Sequence, residues 1–161
     1  MADEKKKALE IVIDDGSQRV PIKNLDGEEI GVFRFHPTDI GIIQRYNDQI
    51  SHFGDIVAPL EELSITADGT VDENDKAALE ALNEAEQRLY KACNYIFGGN
   101  MSEAFFGSMH PFSPIGGVFY CEIALTNLGA FITEQFNTET KKIDSRVNKY
   151  TAKYNRKAGK K

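Results

Sequence analysis

An apolar stripe along the last third of the chain constrains the fold more than any other feature of this sequence. Its members recur every three or four positions, which is the spacing of one face of an α-helix. They are Cys121, Leu125, Leu128, Ile132, Phe136, Thr140, Ile143, Val147, Tyr150 and Tyr154. We predict a helix from about Val118 to Lys153, about 50 Å long. A body of this size cannot cover such a helix alone, so its C-terminal half should project and need a partner.

Charge is divided unevenly along the same chain. Residues 141–161 contain nine Lys or Arg and one acid, Asp144, and carry +8, so the preceding residues carry −14 and the whole chain −6. A basic tail can bind nucleic acid. Apart from Tyr150 and Tyr154, however, this tail lacks the planar side chains on which single strands stack. We therefore do not expect specific nucleic-acid binding, and a nucleic-acid-binding regulator is kept as an alternative hypothesis.

The N-terminal part of the chain has the alternation of strands and turns. The Asp26-Gly27 pair is typical of a hairpin turn, and Pro21 restricts its strand to an edge or a bulge. The extended segments are residues 9–13, 19–23 and 30–35. We predict a three-stranded antiparallel β-meander that needs a helix packed on it to be stable.

Two further helices are predicted before the long one. The first is capped by Thr38 or Asp39, and its apolar stripe is Ile40, Ile43, Tyr46 or Asn47, Ile50, Phe53 and Val57. A polar loop at 64–74 follows it. The second helix runs from about Asn74 to Phe97 and ends at Gly98-Gly99; its stripe is Leu79, Leu82, Ala85, Leu89, Cys93 and Ile96.

Residues 100–117 form a connector rich in aromatic residues and helix breakers. A short helix could run from Asn100 to Phe106, whereas the glycines and prolines between 107 and 117 predict no regular structure. Phe105, Phe106 and Phe112 either fold onto the core or form a binding element.

The predicted fold class is mainly α with a small N-terminal antiparallel β-meander (α+β) and a long C-terminal helix. We expect a disordered N-terminus at 1–8 and one α+β domain at 9–154, with the meander at 9–36 and helices at 38–154. A basic disordered tail at 155–161 completes the chain.

Residues that carry chemistry form no catalytic or cofactor motif. The three histidines are scattered, so zinc is not expected, and a calcium-loop alignment at 64–75 lacks its first carboxylate. Cys93 and Cys121 predict two buried free thiols. No phosphate loop or nucleophile elbow is present. We predict a protein that is not an enzyme and uses no cofactor or metal.

With no apolar run long enough for a membrane span and no secretory signal, we expect a cytosolic location.

Four stretches of the sequence carry a family resemblance. The first two are residues 22–31, with Asp26-Gly27, and residues 33–39, with His36-Pro37. The third is 97–99 with 105–107 and 111–114, and the fourth is 117–122 with 144–151. Together they resemble the short tail assembly chaperones of long-tailed (siphovirus- or myovirus-type) phages and prophages of Gram-positive bacteria. The resemblance extends from about Ile11 to Tyr154.

The resemblance implies a largely helical chaperone that acts in the host cytoplasm during tail morphogenesis and is absent from the mature virion. Its partners would be the tape-measure protein, which it keeps soluble, and the tail-tube protein, which it helps to recruit. Many members are also made as a longer product by programmed frameshifting.

We predict that the client is held by the connector aromatics and the long helical stripe. The predicted client-binding residues are Phe105, Phe106, Phe112, Ile132, Phe136, Ile143, Val147 and Tyr150. Two alternatives stay open: the stripe packs on its own core or in a homo-oligomer, or the chain is a structural head–tail connector or tail-completion protein of the virion.

Overall fold

The computed structural model describes residues 8–58 and 76–158. In chain order they form β1 (Gln18–Lys23), β2 (Glu29–Phe35), α1 (Gly41–Ile50), α2 (Phe53–Val57), α3 (Lys76–Phe97), α4 (Met101–Phe106), β3 (Pro114–Ile115), β4 (Val118–Phe119) and α5 (Tyr120–Ala158). The fold is mainly α, with a small N-terminal antiparallel β-hairpin and a long C-terminal helix, which confirms the predicted class. The polar loop at 64–74 and the calcium alignment lie outside the described residues, as do residues 1–7 and 159–161.

The hairpin of β1 and β2 closes at the turn predicted from Asp26-Gly27. Gly27 has a φ of +82°, a conformation that costs glycine little because it has no Cβ. The Asn24 side chain accepts a 3.0 Å hydrogen bond from the Asp26 amide within this turn. Val20 lies opposite Phe33 in the ladder, so one face of the hairpin is apolar.

The third strand predicted at 9–13 is not formed. Residues 8–17 precede β1 without regular structure, and Leu9, Ile11, Val12 and Ile13 are all exposed. A strand needs a neighbouring segment for its backbone hydrogen bonds, and no described residue pairs with this one. This part of the meander prediction is therefore wrong.

The helix predicted over 38–57 is divided into α1 and α2 at Ser51-His52. The N-cap residue is Ile40, which makes no side-chain cap hydrogen bond, so neither predicted cap occupies that position. Asp39, one residue earlier, still accepts a 2.8 Å hydrogen bond at Oδ1 from the Gly41 amide. Arg45 then donates to Asp39 Oδ2 at 2.9 Å and to the Ile96 carbonyl at 2.8 Å. These contacts connect the start of α1 to the end of α3.

The predicted apolar stripe of this segment is wrong over α1 but correct at Phe53, which is half-buried against the core. Ile40, Ile43 and Tyr46 are exposed, whereas Ile42 and Ile56 enter the core. The least exposed row of α1 contains Ile42, Arg45 and Gln49. The packing of α1 on α3 therefore selects the buried face, and the apolar spacing does not.

α3 packs against α1, α2 and α4. The predicted stripe is confirmed over its second half, where Ala85, Leu89, Cys93 and Ile96 are buried, but Leu79 is exposed. Gly98, with a φ of +65°, ends the helix as expected. The short helix predicted in the connector is α4.

The connector contains more regular structure than predicted. β3 and β4 form a minimal hairpin, because Gly116 and Gly117 both have positive φ and so make the tight turn that joins two strands. α5 begins directly after β4 and reaches Ala158, past the predicted end at Lys153. At 39 residues it is about 58 Å long.

The core joins the apolar face of the hairpin to α3, α4 and the first half of α5. Phe33 stacks on Phe35 with ring centroids 4.0 Å apart and meets Phe105 edge-on at 5.4 Å. Phe106 stacks on Tyr90 at 5.7 Å and meets Tyr120 edge-on at the same distance. The aromatic connector is thus folded down onto the body.

Candidate functional site

The predicted client-binding residues lie in two different environments. Phe105, Phe106 and Phe112 are buried side chains of the core. Phe112 meets Phe119 edge-on, with centroids 5.7 Å apart. These three rings hold the connector on the body and leave little surface for a client to contact. The structure therefore does not bring them together with the exposed end of α5.

Along α5 the stripe passes from the core into solvent. Ile132 is buried and Phe136 is half-buried against the core. Beyond them Ile143 is 51 % exposed, Val147 50 % and Tyr150 72 %. Every described side chain from residue 137 to residue 153 is exposed. We call Ile143, Val147 and Tyr150 the distal seam; their spacings of four and three place them on one helix face.

Basic side chains lie along one side of the distal seam. Residues 138–153 of α5 contain the cations Lys141, Lys142, Arg146, Lys149 and Lys153 and the acids Glu139 and Asp144. Lys142 Nζ lies 3.2 Å from Glu139 Oε1, an exposed pair of small energetic value. The segment presents an apolar strip bordered on one side by positive charge, suited to an amphipathic helix with an acidic flank.

A second apolar surface, which sequence reasoning missed, lies between the β-hairpin and the first half of α5. It is an open groove of about 780 Å³. Its walls are Val20 and Ile22 of β1, Phe33 and Phe35 of β2, Phe105 of α4, and Ile123, Leu128 and Phe131 of α5. Lys23 is the one charged residue among the described residues that line it. No sequence pattern predicts this groove, because it depends on how α5 is placed against the sheet.

Cys93 and Cys121 are free and buried, as the sequence predicted. Burial raises the pKa of Cys93 to about 12 and that of Cys121 to about 11. Both thiols are therefore protonated near neutral pH, and neither has the thiolate character of a nucleophile.

A polar network crosses from α3 to the connector. The Tyr90 hydroxyl donates to Glu86 Oε1 at 2.7 Å, and burial raises the Tyr90 pKa. His110 Nδ1 accepts a 3.2 Å hydrogen bond from the Phe112 amide. His110 Nε2 lies 3.1 Å from Glu86 Oε2 but is not aligned for a hydrogen bond. The hydrogen bond of His110 thus lies within the connector, and its contact with α3 is the approach to Glu86.

The side chains that could bind a metal ion are dispersed. Across residues 8–58 and 76–158 no three His, Cys, Asp or Glu side chains converge on a point that could hold a metal ion. Over the same residues, no helix combines the length and apolarity of a membrane span.

No protein-family model matches this chain, and neither a curated protein nor a solved structure shows significant similarity to it. The case for a function therefore depends on the geometry of the distal seam and on the motif resemblance.

Proposed function

We propose that this chain is a tail assembly chaperone of a long-tailed phage or prophage, which acts in the host cytoplasm and holds the tape-measure protein before the tail tube surrounds it. The observation that carries the proposal is the distal seam. An apolar helix face beyond the core, continuous with the buried stripe, needs another polypeptide to cover it. The motif resemblance supplies the identity of that polypeptide.

The proposed mechanism is reversible pairing of helices. An amphipathic client helix lays its apolar face along Ile143, Val147 and Tyr150, in the manner of helix-in-groove recognition. Half-buried Phe136 lies where the seam meets the body and marks the inner end of the contact. The basic border favours client segments with an acidic flank, and the acidic body keeps the complex soluble.

The connector aromatics have no direct contact with the client in this mechanism. Phe105, Phe106 and Phe112 are buried, so they support the body from which α5 projects. Their substitution would unfold the chaperone before it could report on binding, because truncating a buried Phe costs about 3–5 kcal/mol.

Co-expression with the tape-measure protein tests the proposal. The wild-type chain should keep that protein in the soluble fraction, and the double variant Ile143→Asp, Val147→Asp should fail to do so. The matched control, Ser145→Asp with Ala152→Asp, adds the same charge on the opposite face of α5 and should retain the effect. Because all four side chains are exposed, circular dichroism should show equal folding. Equal rescue by both variants would reject the distal seam as the client site.

Purified particles separate this function from that of a structural virion component. An assembly chaperone should be missing from mature virions by mass spectrometry, although it is present in the infected-cell lysate. A stoichiometric signal in the particles would favour a connector or tail-completion protein.

A further inference from the structure

An exposed apolar segment precedes the β-hairpin. We call residues 9–13, Leu-Glu-Ile-Val-Ile, the N-terminal arm. Ile11 is 88 % exposed and Ile13 is 73 % exposed. In an extended conformation Leu9, Ile11 and Ile13 fall on one face, and β-branched residues in such alternation are typical of a strand with one buried face. A strand of this composition is not stable alone in water.

The two edges of the hairpin differ in what covers them. At β2, the Asn100 side chain donates to the Val32 carbonyl and accepts from the Arg34 amide, both at 2.9 Å. The Asn100 side chain thus makes the backbone hydrogen bonds with β2 that a neighbouring strand would make. Ala104 packs so closely against Gly31 that a Cβ there would overlap its carbonyl oxygen. The outer edge of β1 has no neighbouring strand among the described residues. Pro21 faces this edge and has no N–H, so an added strand would pair through the amides of Arg19 and Lys23 and through the Pro21 carbonyl.

The apolar groove lies beside that open edge. Val20 and Ile22 of β1 are half-buried there and face Ile123 and Phe131 of α5 across the open space. A strand paired with β1 would continue the same sheet face, and its alternate side chains would enter the groove. The N-terminal arm has the apolar residues at that period. Its one charge, Glu10, alternates with these residues and would face away from the groove.

The chain's own arm does not fill its own groove, since Leu9, Ile11, Val12 and Ile13 are exposed and none of them lines it. Asp15 Oδ2 lies 2.8 Å from His36 Nε2, beyond the end of the hairpin where Gln18 pairs with Phe35. Hydrogen bonds from the Gly16 amide to Asp14 Oδ1 and from the Ser17 amide to Asp15 Oδ1, both 3.0 Å, shape the segment between arm and strand. The arm is therefore not paired with β1 of its own chain.

We propose that the N-terminal arm of a second copy of this chain adds to the open edge of β1 and fills the groove. Each copy carries both arm and groove, so two copies that exchange arms satisfy both surfaces in one closed, two-fold dimer. Each sheet then has three strands, the third supplied by the partner. This assembly is separate from the distal seam and leaves that surface open to a client.

Oligomeric state tests the exchange. By light scattering after size exclusion, the full chain should be a dimer, and Ile11→Asp should convert it to a monomer. Ile40→Asp is the matched control: it changes another exposed isoleucine, at the start of α1, and should leave the dimer intact. Neither change alters a buried side chain, so both variants should fold. A monomeric wild type, or a dimer that survives Ile11→Asp, would overturn the proposal.

Disulfide trapping tests which chain supplies the arm. One chain carries Ile11→Cys, and a second chain, lengthened by a tag, carries Ile22→Cys. After mixing and mild oxidation, a disulfide-linked heterodimer should appear on a non-reducing gel. The buried native thiols Cys93 and Cys121 should not interfere. With both substitutions in one chain, an exclusively intramolecular disulfide would show that the arm folds onto its own β1 and would overturn the exchange.

Discussion

Asn100 and Gly31 show how single residues attach the hairpin to the helices. The Asn100 amide group bridges the backbone of β2, and the missing side chain at Gly31 lets Ala104 of α4 approach that same strand. Neither role can be predicted from the sequence. Asn100 simply follows the Gly98-Gly99 pair that ends α3, and Gly31 is a glycine within a strand. The contact between β2 and α4 depends on both.

Substitution of Gly31 by Ala should destabilise the protein by about 3 kcal/mol, because the added methyl group would overlap the Ala104 backbone and neither backbone can move aside freely. Gly129→Ala is the matched control. Its Cβ would meet nothing within 4 Å, and the change should stabilise α5 by up to about 1 kcal/mol. Urea unfolding measures both, and a neutral Gly31→Ala would contradict the close packing of α4 on β2.

The two thiols should be unreactive in the folded protein. At pH 8 a thiol reagent should label neither Cys93 nor Cys121 in the native chain and both after denaturation. The folded pKa values, about 12 and about 11, lie above the ordinary thiol value of 9.0. The stability that the buried thiols contribute is therefore complete below pH 9 and is lost as the pH rises towards 11–12. Cys93→Ala should make that decline shallower in urea unfolding measured between pH 8 and pH 11.

At the scale of elements, α5 consists of two parts with different roles. Its first half contributes Cys121, Ala124, Leu128 and Ile132 to the core, whereas its second half contributes no buried side chain over the described residues. Residues of the second half gain helical structure from continuity with the first and from local pairs. α5 is therefore one continuous helix, but only its first half stabilises the folded body.

A chain that ends at Thr140 should fold as stably as the full chain. Its thermal midpoint should change by less than about 2 °C, since no described side chain beyond residue 136 packs on the body. The helical circular-dichroism signal should fall because those turns are removed. As a contrast, Phe136→Asp in the full chain should cost about 2 kcal/mol, since Phe136 is half-buried against the core. A large loss of stability on truncation would mean that the second half does pack on the body.

At the scale of the whole molecule, the long helix and the small body give an elongated shape. A compact chain of 161 residues would have a radius of gyration of about 15 Å. Small-angle scattering of the Ile11→Asp variant, which should be monomeric, is expected to give a clearly larger radius. A value near 15 Å would mean that α5 folds back onto the body, and it would remove the physical basis for client binding by the distal seam.

The sequence determined those features that depend on local periodicity and local turn chemistry. The length and projection of α5 follow from its apolar stripe, because that stripe is longer than the core that a chain of this size can form. The hairpin turn at Gly27 and the end of α3 at Gly98 follow from the freedom of glycine at positive φ. Three of the predicted client-binding residues, Ile143, Val147 and Tyr150, are exposed on one face for the same periodic reason.

Tertiary structure alone decided what each apolar residue packs against. Phe105, Phe106 and Phe112 looked equally suited to a core and to a binding surface, and the space between hairpin, α3 and α5 placed them in the core. Ile42, and not Ile43, became the buried row of α1 because α3 lies on that side. The N-terminal arm has the pattern of a strand but no partner within the described chain, since strand formation requires a second segment whose position local sequence does not specify.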